Sequence, residues 1–242
     1  METFPYDHLI IDNFFPIDKA KKLSEEFPDY DSDLWYEYNN PLEKKKSSND
    51  WWSFPPETYK TFTFLNSTEF VDILRDKTGI QSLYPDIGLH GGGWHIHSRG
   101  GKLNIHLDYS IHPKTGLQRK LNLIVYLTEG WKPEWGGGLE LWSHNHETNK
   151  PLKKEKTIHN VFNRAILFDT TQNSWHGLPQ LLSCPKGICR KSMAVYYMTD
   201  PPKDVNQRKR ALYAPTEEQS NDREVLDFIQ KRVTLNGTSR AS

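Results

Sequence analysis

The sequence predicts a mainly β fold with flanking helices, an α+β protein built around a sandwich or barrel. Two observations carry this. From about residue 87 the chain breaks into short strand-like runs, "WHIH", "KLNIHLDYSI", "RKLNLIVYLTE", "GLELWS", "RAILFD" and "RKSMAVYYMT", parted by turns such as "HPKTG" and "PEWGGG". No helical text lies between them, as a βαβ chain would require. The second is an aromatic content of 12%, with eight tryptophans, which suits packed sheets.

Taken in order, "FPIDKAKKLSEEFP" (15–28) places Ile17, Ala20, Leu23 and Phe27 at helical spacing behind a proline, so a helix is expected there. Residues 30–60 are polar, aromatic and rich in turn formers, and read as a long surface excursion or lid. Its triple lysine, Lys44 to Lys46, reads as a solvated loop. "STEFVDILRDK" (67–77) is a second helix with Ser67 or Thr68 as N-cap. After the β-rich stretch, "QRKR" (207–210) reads as a solvated basic segment, with substrate steering the lesser reading. "EEQSNDREVLDFIQKRV" (217–233) forms a final helix and "TLNGTSRAS" a frayed end. The whole is expected to be one domain: support region 1–85, β core 86–200 and helical extension 201–242.

The 242 residues carry 31 basic and 31 acidic side chains, so no overall field argues for nucleic acid or a membrane surface. Apolar runs are too short to span a bilayer, and the N-terminus lacks the basic start and apolar core of a secretory signal. A soluble, cytoplasmic protein acting on a small or neutral substrate is expected. Its oligomeric state is not legible in the sequence. Cys184 and Cys189 read as free thiols, and the N-x-S/T triplets at Asn66 and Asn236 as chance matches.

The chemistry concentrates in "KLNIHLDYSIH" (102–112). Leu103, Ile105, Leu107 and Tyr109 alternate with Asn104, His106, Asp108 and Ser110, the pattern of a strand with two unlike faces. His106 and Asp108 then share a face about 7 Å apart at Cα, near enough to converge on one ion. With ten histidines, roughly one H-x-[DE] is expected by chance, so the pair needs a third ligand. His176 in "TTQNSWHGLP" is the best candidate, because it follows "RAILFD" and a short polar loop. Two histidines and one carboxylate leave the opposite positions of the ion open, as in non-haem Fe(II) oxygenases. In "RKSMAVYYM", Arg190, Ser192, Ala194 and Tyr196 share one face, and a guanidinium with a hydroxyl two residues on can bind a dicarboxylate. In "LNLIVYL", Asn122 and Tyr126 can line the same cavity.

The ordered set H-L-D (106–108), "RKLNLIVYLTEGWKPEWGGGLELW" (119–142), "NRAILFDTTQNSWHG" (163–177) and "RKSMAVYYM" (190–198) resembles the prolyl-hydroxylase-like branch of the Fe(II)/2-oxoglutarate-dependent dioxygenases, over roughly residues 85–200. The resemblance implies a double-stranded β-helix, or jelly roll, with iron at one mouth. It implies His106, Asp108 and His176 as iron ligands, Arg190 as the holder of the far carboxylate of 2-oxoglutarate, and Tyr126 as an inward contact to the same molecule. Ser192 and Asn122 complete the expected cosubstrate wall. The cofactor set so implied is Fe(II) with 2-oxoglutarate and O2 as cosubstrates, ascorbate being an optional addition. The implied reaction hydroxylates an unactivated C–H of a small molecule or peptidyl residue, releasing succinate and CO2. Halogenating relatives replace the carboxylate that Asp108 retains, which favours hydroxylation. Two departures stand out: Leu103 occupies a position where the family often has tyrosine, and the insertion "PQLLSCPKGIC" places Arg190 14 residues beyond His176.

The rival readings are weaker. His95-x-His97 would begin a cupin metal site, but "SRGGK" follows where a glutamate is needed, so these histidines are expected to be structural or substrate-facing. His144 and His146 read as a polar turn. A non-catalytic jelly roll binding a sugar or peptide is the remaining alternative. Candidate lids are the stretch around Trp51 and Trp52 and "HGGGWHIHSRGG", each also readable as plain packing.

Overall fold

A computed structural model describes residues 1–234. In chain order the elements are β1 (His8–Ile11), α1 (Ile17–Glu25), β2 (Tyr36–Asn40), β3 (Glu43–Ser48), α2 (Pro56–Leu65), α3 (Thr68–Thr78), β4 (Tyr84–Pro85), β5 (Gly93–His97), β6 (Lys102–Leu107) and β7 (Gln118–Tyr126). There follow β8 (Leu139–Asn145), β9 (Lys150–Ile158), β10 (Ala165–Asp169), β11 (Trp175–Leu178), β12 (Arg190–Thr199), β13 (Leu212–Tyr213) and α4 (Arg223–Thr234). All strands join one antiparallel sheet, ordered β1-β10-β7-β12-β5-β3-β6-β11-β8-β9, with β2, β4 and β13 attached at its sides. Strands distant in sequence are neighbours, and the sheet curls on itself as the jelly roll expected from the sequence.

Period-two alternation divides the side chains between the two faces of the sheet. From β7, Leu121, Leu123 and Val125 join Met193, Val195 and Tyr197 of β12 and Trp94 and Ile96 of β5 in a core shared with the helices. Ala20 and Leu23 of α1, Phe62 and Leu65 of α2, and Phe70, Val71 and Leu74 of α3 cover that face. On the other face Tyr126, Ile166, Phe168, Leu141 and Leu178 fill the inside of the curl.

Helix α3 starts and stops as its sequence dictates. The Ser67 hydroxyl accepts the Phe70 N–H, and α3 ends at Gly79, whose φ of 75° is the left-handed conformation that glycine adopts without strain. Of the expected apolar face, Ala20 and Leu23 of α1 and Phe27 just past its end are buried, while Ile17 at its start is half exposed.

The excursion expected over 30–60 is instead mostly ordered structure. The β2–β3 hairpin places β3 between β5 and β6, pairing Ser47 with His95 and Glu43 with Leu103. Gly93 permits the join: its φ is 88°, and a Cβ there would collide with the Ser48 carbonyl oxygen. The lysines therefore lie on a strand, not a loop, and the side chain of Lys45 is only 13% exposed, 3.7 Å from the buried Glu43 carboxylate. Helix α2 was also absent from the sequence reading. Its N-cap comes from another element, since Glu26 accepts the N–H groups of Glu57 and Thr58 at 3.2 and 2.7 Å.

Trp51 packs edge-on against Phe54, Tyr59 and Phe62, while Trp52 is almost wholly exposed. Cys184 and Cys189 are free, and Asn66 is buried at the end of α2, its amide donating to the Phe62 carbonyl. The end expected to fray, with the Asn236 triplet, lies outside the described residues apart from Thr234. No helix among the described residues is long and apolar enough to cross a membrane.

Candidate metal centre

His106 ends the inner face of β6, and His176 lies directly opposite it on β11, in register. Asp108 follows just after β6. His176 is thus a strand residue, on β11 (Trp175–Leu178). The three offer donor atoms that all fall within 4.8 Å of one another, and each side chain is buried. His106 Nε2 is 3.7 Å from Asp108 Oδ1, and His176 Nε2 is 4.0 Å from Asp108 Oδ2.

Backbone carbonyls orient both rings. His106 Nδ1 is 2.9 Å from the Asn104 oxygen and His176 Nδ1 2.7 Å from the Ser174 oxygen. A carbonyl only accepts, so in each ring Nδ1 carries the proton and Nε2 presents its lone pair to the centre. Burial, aided by the neighbouring His176, pushes the His106 pKa down to about 3, which keeps that lone pair free. Burial alone would raise Asp108, but the Arg119 guanidinium, with His176 and His106, outweighs it and holds the carboxyl below its ordinary range. Its Oδ2 is buried without a hydrogen-bond partner, while Oδ1 accepts from Tyr196 at 3.4 Å.

This donor set fits a divalent metal. Donors about 2.1 Å from a common ion lie roughly 3–4 Å apart, near the separations seen here. Two imidazole nitrogens and one carboxylate form the facial set suited to Fe(II).

On the same inner face, Arg190 of β12 is buried; its Nε donates to the Gly137 carbonyl at 2.8 Å and Nη1 to Ser192 Oγ at 3.4 Å. Its guanidinium carbon lies 5.0 Å from the centre of the Tyr126 ring, and the Tyr126 hydroxyl has no hydrogen-bond partner. No carboxylate among the described residues pairs with this cation. Asn122, opposite Tyr196 in register, is also inward and buried with Oδ1 unpartnered. The four residues expected to meet a dicarboxylate therefore lie along the same two strands.

Two cations beside Asp108 escaped sequence reasoning. Arg119 sits between Tyr109 and Tyr196, its guanidinium carbon 3.4 and 3.3 Å from the ring centres, with Nη1 3.5 Å from Asp108 Oδ1. Simple alternation would turn Arg119 outward with Leu121. A register shift pairs Arg119 with Met198 and omits Lys120, and this bulge re-aims it inward. Arg208, expected to be solvated, instead donates through Nε and Nη2 to the Asp108 carbonyl at 3.1 and 2.9 Å, and burial lowers its pKa. No sequence signal distinguishes it from its basic neighbours.

His97 is buried and His95 half-buried on β5, outside the three-residue donor group. His144 Nδ1 accepts the Trp175 indole N–H at the end of β8, away from the centre.

Residues 92–198 match the family model described as the 2OG-Fe(II) oxygenase superfamily. No curated protein matches the chain in sequence. Among solved structures, a prolyl-4-hydroxylase from Pseudomonas putida is similar at a TM-score of 0.53 and 17% identity, covering 81% of this chain and 93% of that one. A prolyl hydroxylase from Trichoplax adhaerens, solved with a hypoxia inducible factor peptide fragment, gives 0.52 and 17%, covering 79% and 83%. A prolyl 4-hydroxylase structure from Phytophthora capsici gives 0.53 and 20%, covering 93% and 68%. At these identities the structural likenesses bear on the fold.

Proposed function

We propose, from the match of residues 92–198 to the 2OG-Fe(II) oxygenase model, that the chain is an oxygenase of this kind and hydroxylates an unactivated C–H of a small molecule or a peptidyl residue. His106, Asp108 and His176 would hold Fe(II), and Arg190, with Tyr126 and Ser192, the far carboxylate of 2-oxoglutarate. The observation that carries this reading is the pairing of the two features: three buried donors within 4.8 Å, and a buried guanidinium without a carboxylate on the same inner face.

Iron with 2-oxoglutarate and O2 supplies oxidation of C–H to C–OH, coupled to decarboxylation of the 2-oxo acid to succinate and CO2. The protein's part is orientation and exclusion of water. The Asn104 and Ser174 carbonyls fix the two imidazoles as Nδ1–H tautomers. Arg119 and Tyr196 hold the Asp108 carboxylate from the side of Oδ1. Arg190 is itself held by Gly137 and Ser192, so its remaining N–H groups are pre-aimed and lose little entropy on binding a carboxylate.

The alternative of a non-catalytic sugar or peptide binder leaves both the donor set and the unpaired guanidinium unexplained. The test is succinate release after air is admitted to anaerobically prepared, Fe(II)-loaded protein with 2-oxoglutarate. Succinate formation that depends on both additions supports the oxygenase. Its absence across varied peptide and small-molecule substrates would overturn the reading in favour of a binder.

A further inference from the structure

The clusters outside the proposed centre mostly explain themselves by structure. His112 Nδ1 accepts two backbone N–H groups in a turn, and His144 caps an indole. His97 does not. It is 2% exposed, and neither ring nitrogen has a hydrogen-bond partner. A neutral imidazole carries one donor and one acceptor, and burying both unmet is unfavourable, so structural histidines satisfy at least one.

The register shows what His97 faces. His97 is paired directly with Arg190 on the adjacent strand, so the two side chains leave the sheet on the same side. Arg190 is the charge that most affects His97; with burial, which acts more strongly, it drives the imidazole well towards its neutral form. Two rungs along, His95 lies opposite Ser192 and feels both Arg190 and Asp108. His97 is therefore at the end of the cavity remote from the metal donors. That end is closed by backbone. A Cβ on Gly101 would come within 3.0 Å of the His97 Cβ, and one on Gly137 within 3.0 Å of the Arg190 Cδ.

We propose that His97 donates a hydrogen bond to the far carboxylate of 2-oxoglutarate, completing with Arg190 and Tyr126 a three-sided carboxylate socket. A carboxylate offers about four lone-pair sites. The Arg190 fork has committed Nε to Gly137, and the unpartnered Tyr126 hydroxyl and the His97 N–H can meet the oxygens it leaves. A neutral imidazole suits this place better than a second cation, which Arg190 would repel. The assignment rests on the function proposed above, and it makes His97 a cosubstrate-binding residue contributed by β5.

The test is calorimetry on the full chain loaded with Mn(II), titrated with 2-oxoglutarate and with 2-oxopentanoate, which replaces the far carboxylate by a methyl group. Loss of a hydrogen bond to a charged group corresponds to about 10- to 100-fold in affinity. H97L should weaken 2-oxoglutarate by that factor and leave 2-oxopentanoate within about twofold, while H97Q, which keeps an N–H donor, should stay much closer to wild type for both. The proposal is overturned if H97L binds 2-oxoglutarate as wild type does, if it loses both ligands equally, or if H97Q loses as much as H97L. Failure of the wild-type Mn(II) form to bind 2-oxoglutarate would instead strike the function proposed above.

Discussion

At the residue scale, the centre is a set of buried polar groups whose protonation is fixed by burial and by fixed partners. Arg190 is the clearest case. A buried cation without a counter-charge is destabilising in the free protein, and removing it should not weaken the fold. R190M is therefore expected to melt no lower than wild type while raising KM for 2-oxoglutarate by about 10- to 100-fold. A lowered melting temperature with unchanged KM would contradict this. The histidines drawn partly or wholly out of water give a second prediction. Burial lowers His90 to about 4, His95 to about 3 and His97 well below its ordinary range, against 6.5 for a free side chain. Between those values the unfolded chain binds protons that the folded one refuses, so stability present above pH 6.5 is lost as pH falls. A fully buried histidine of this kind contributes a slope of up to about 1.4 kcal/mol per pH unit, and the half-exposed His90 less. Urea unfolding of the metal-free protein should show the midpoint falling steadily from pH 7 to pH 5; a flat profile would refute it.

At the scale of elements, the sequence was most legible where one strand carries one alternating pattern. The faces of β7 and β12, the register-independent pairing of His106 with Asp108, and the N-cap of α3 could all be read locally. What escaped depends on contacts distant in sequence. The run "EKKKSS" shows no apolar alternation, and becomes a strand because β5 and β6 leave a place between them. Helix α2 is capped by Glu26, 31 residues before Glu57. Arg119 turns inward through a bulge that a period-two pattern cannot encode. The join of β3 to β5 yields a prediction here, since Gly93 combines a φ of 88° with backbone contact on its Cβ side. G93A should destabilise the fold by about 2–4 kcal/mol in urea unfolding, by strain and by forcing the strands apart. A change below 0.5 kcal/mol would show that the join is not needed.

At the scale of the whole molecule, the curl of the sheet does what no local stretch can. It sets β6 beside β11, so that side chains 70 residues apart in sequence, His106 and His176, lie with ring centres 4.3 Å apart. It sets β12 beside both β5 and β7, so that Arg190 faces the same interior. The sequence could suggest this meeting only through the order of its motifs, because strand closure is a property of the assembled sheet. The most direct test of the central claim, that these residues hold one metal ion, is anaerobic titration of the protein with Fe(II). Wild type should bind one ion per chain, and H106A, D108A and H176A should each weaken binding by more than about 100-fold, while H95A binds as wild type does. Retention of iron by H176A, or its loss on H95A, would contradict the account.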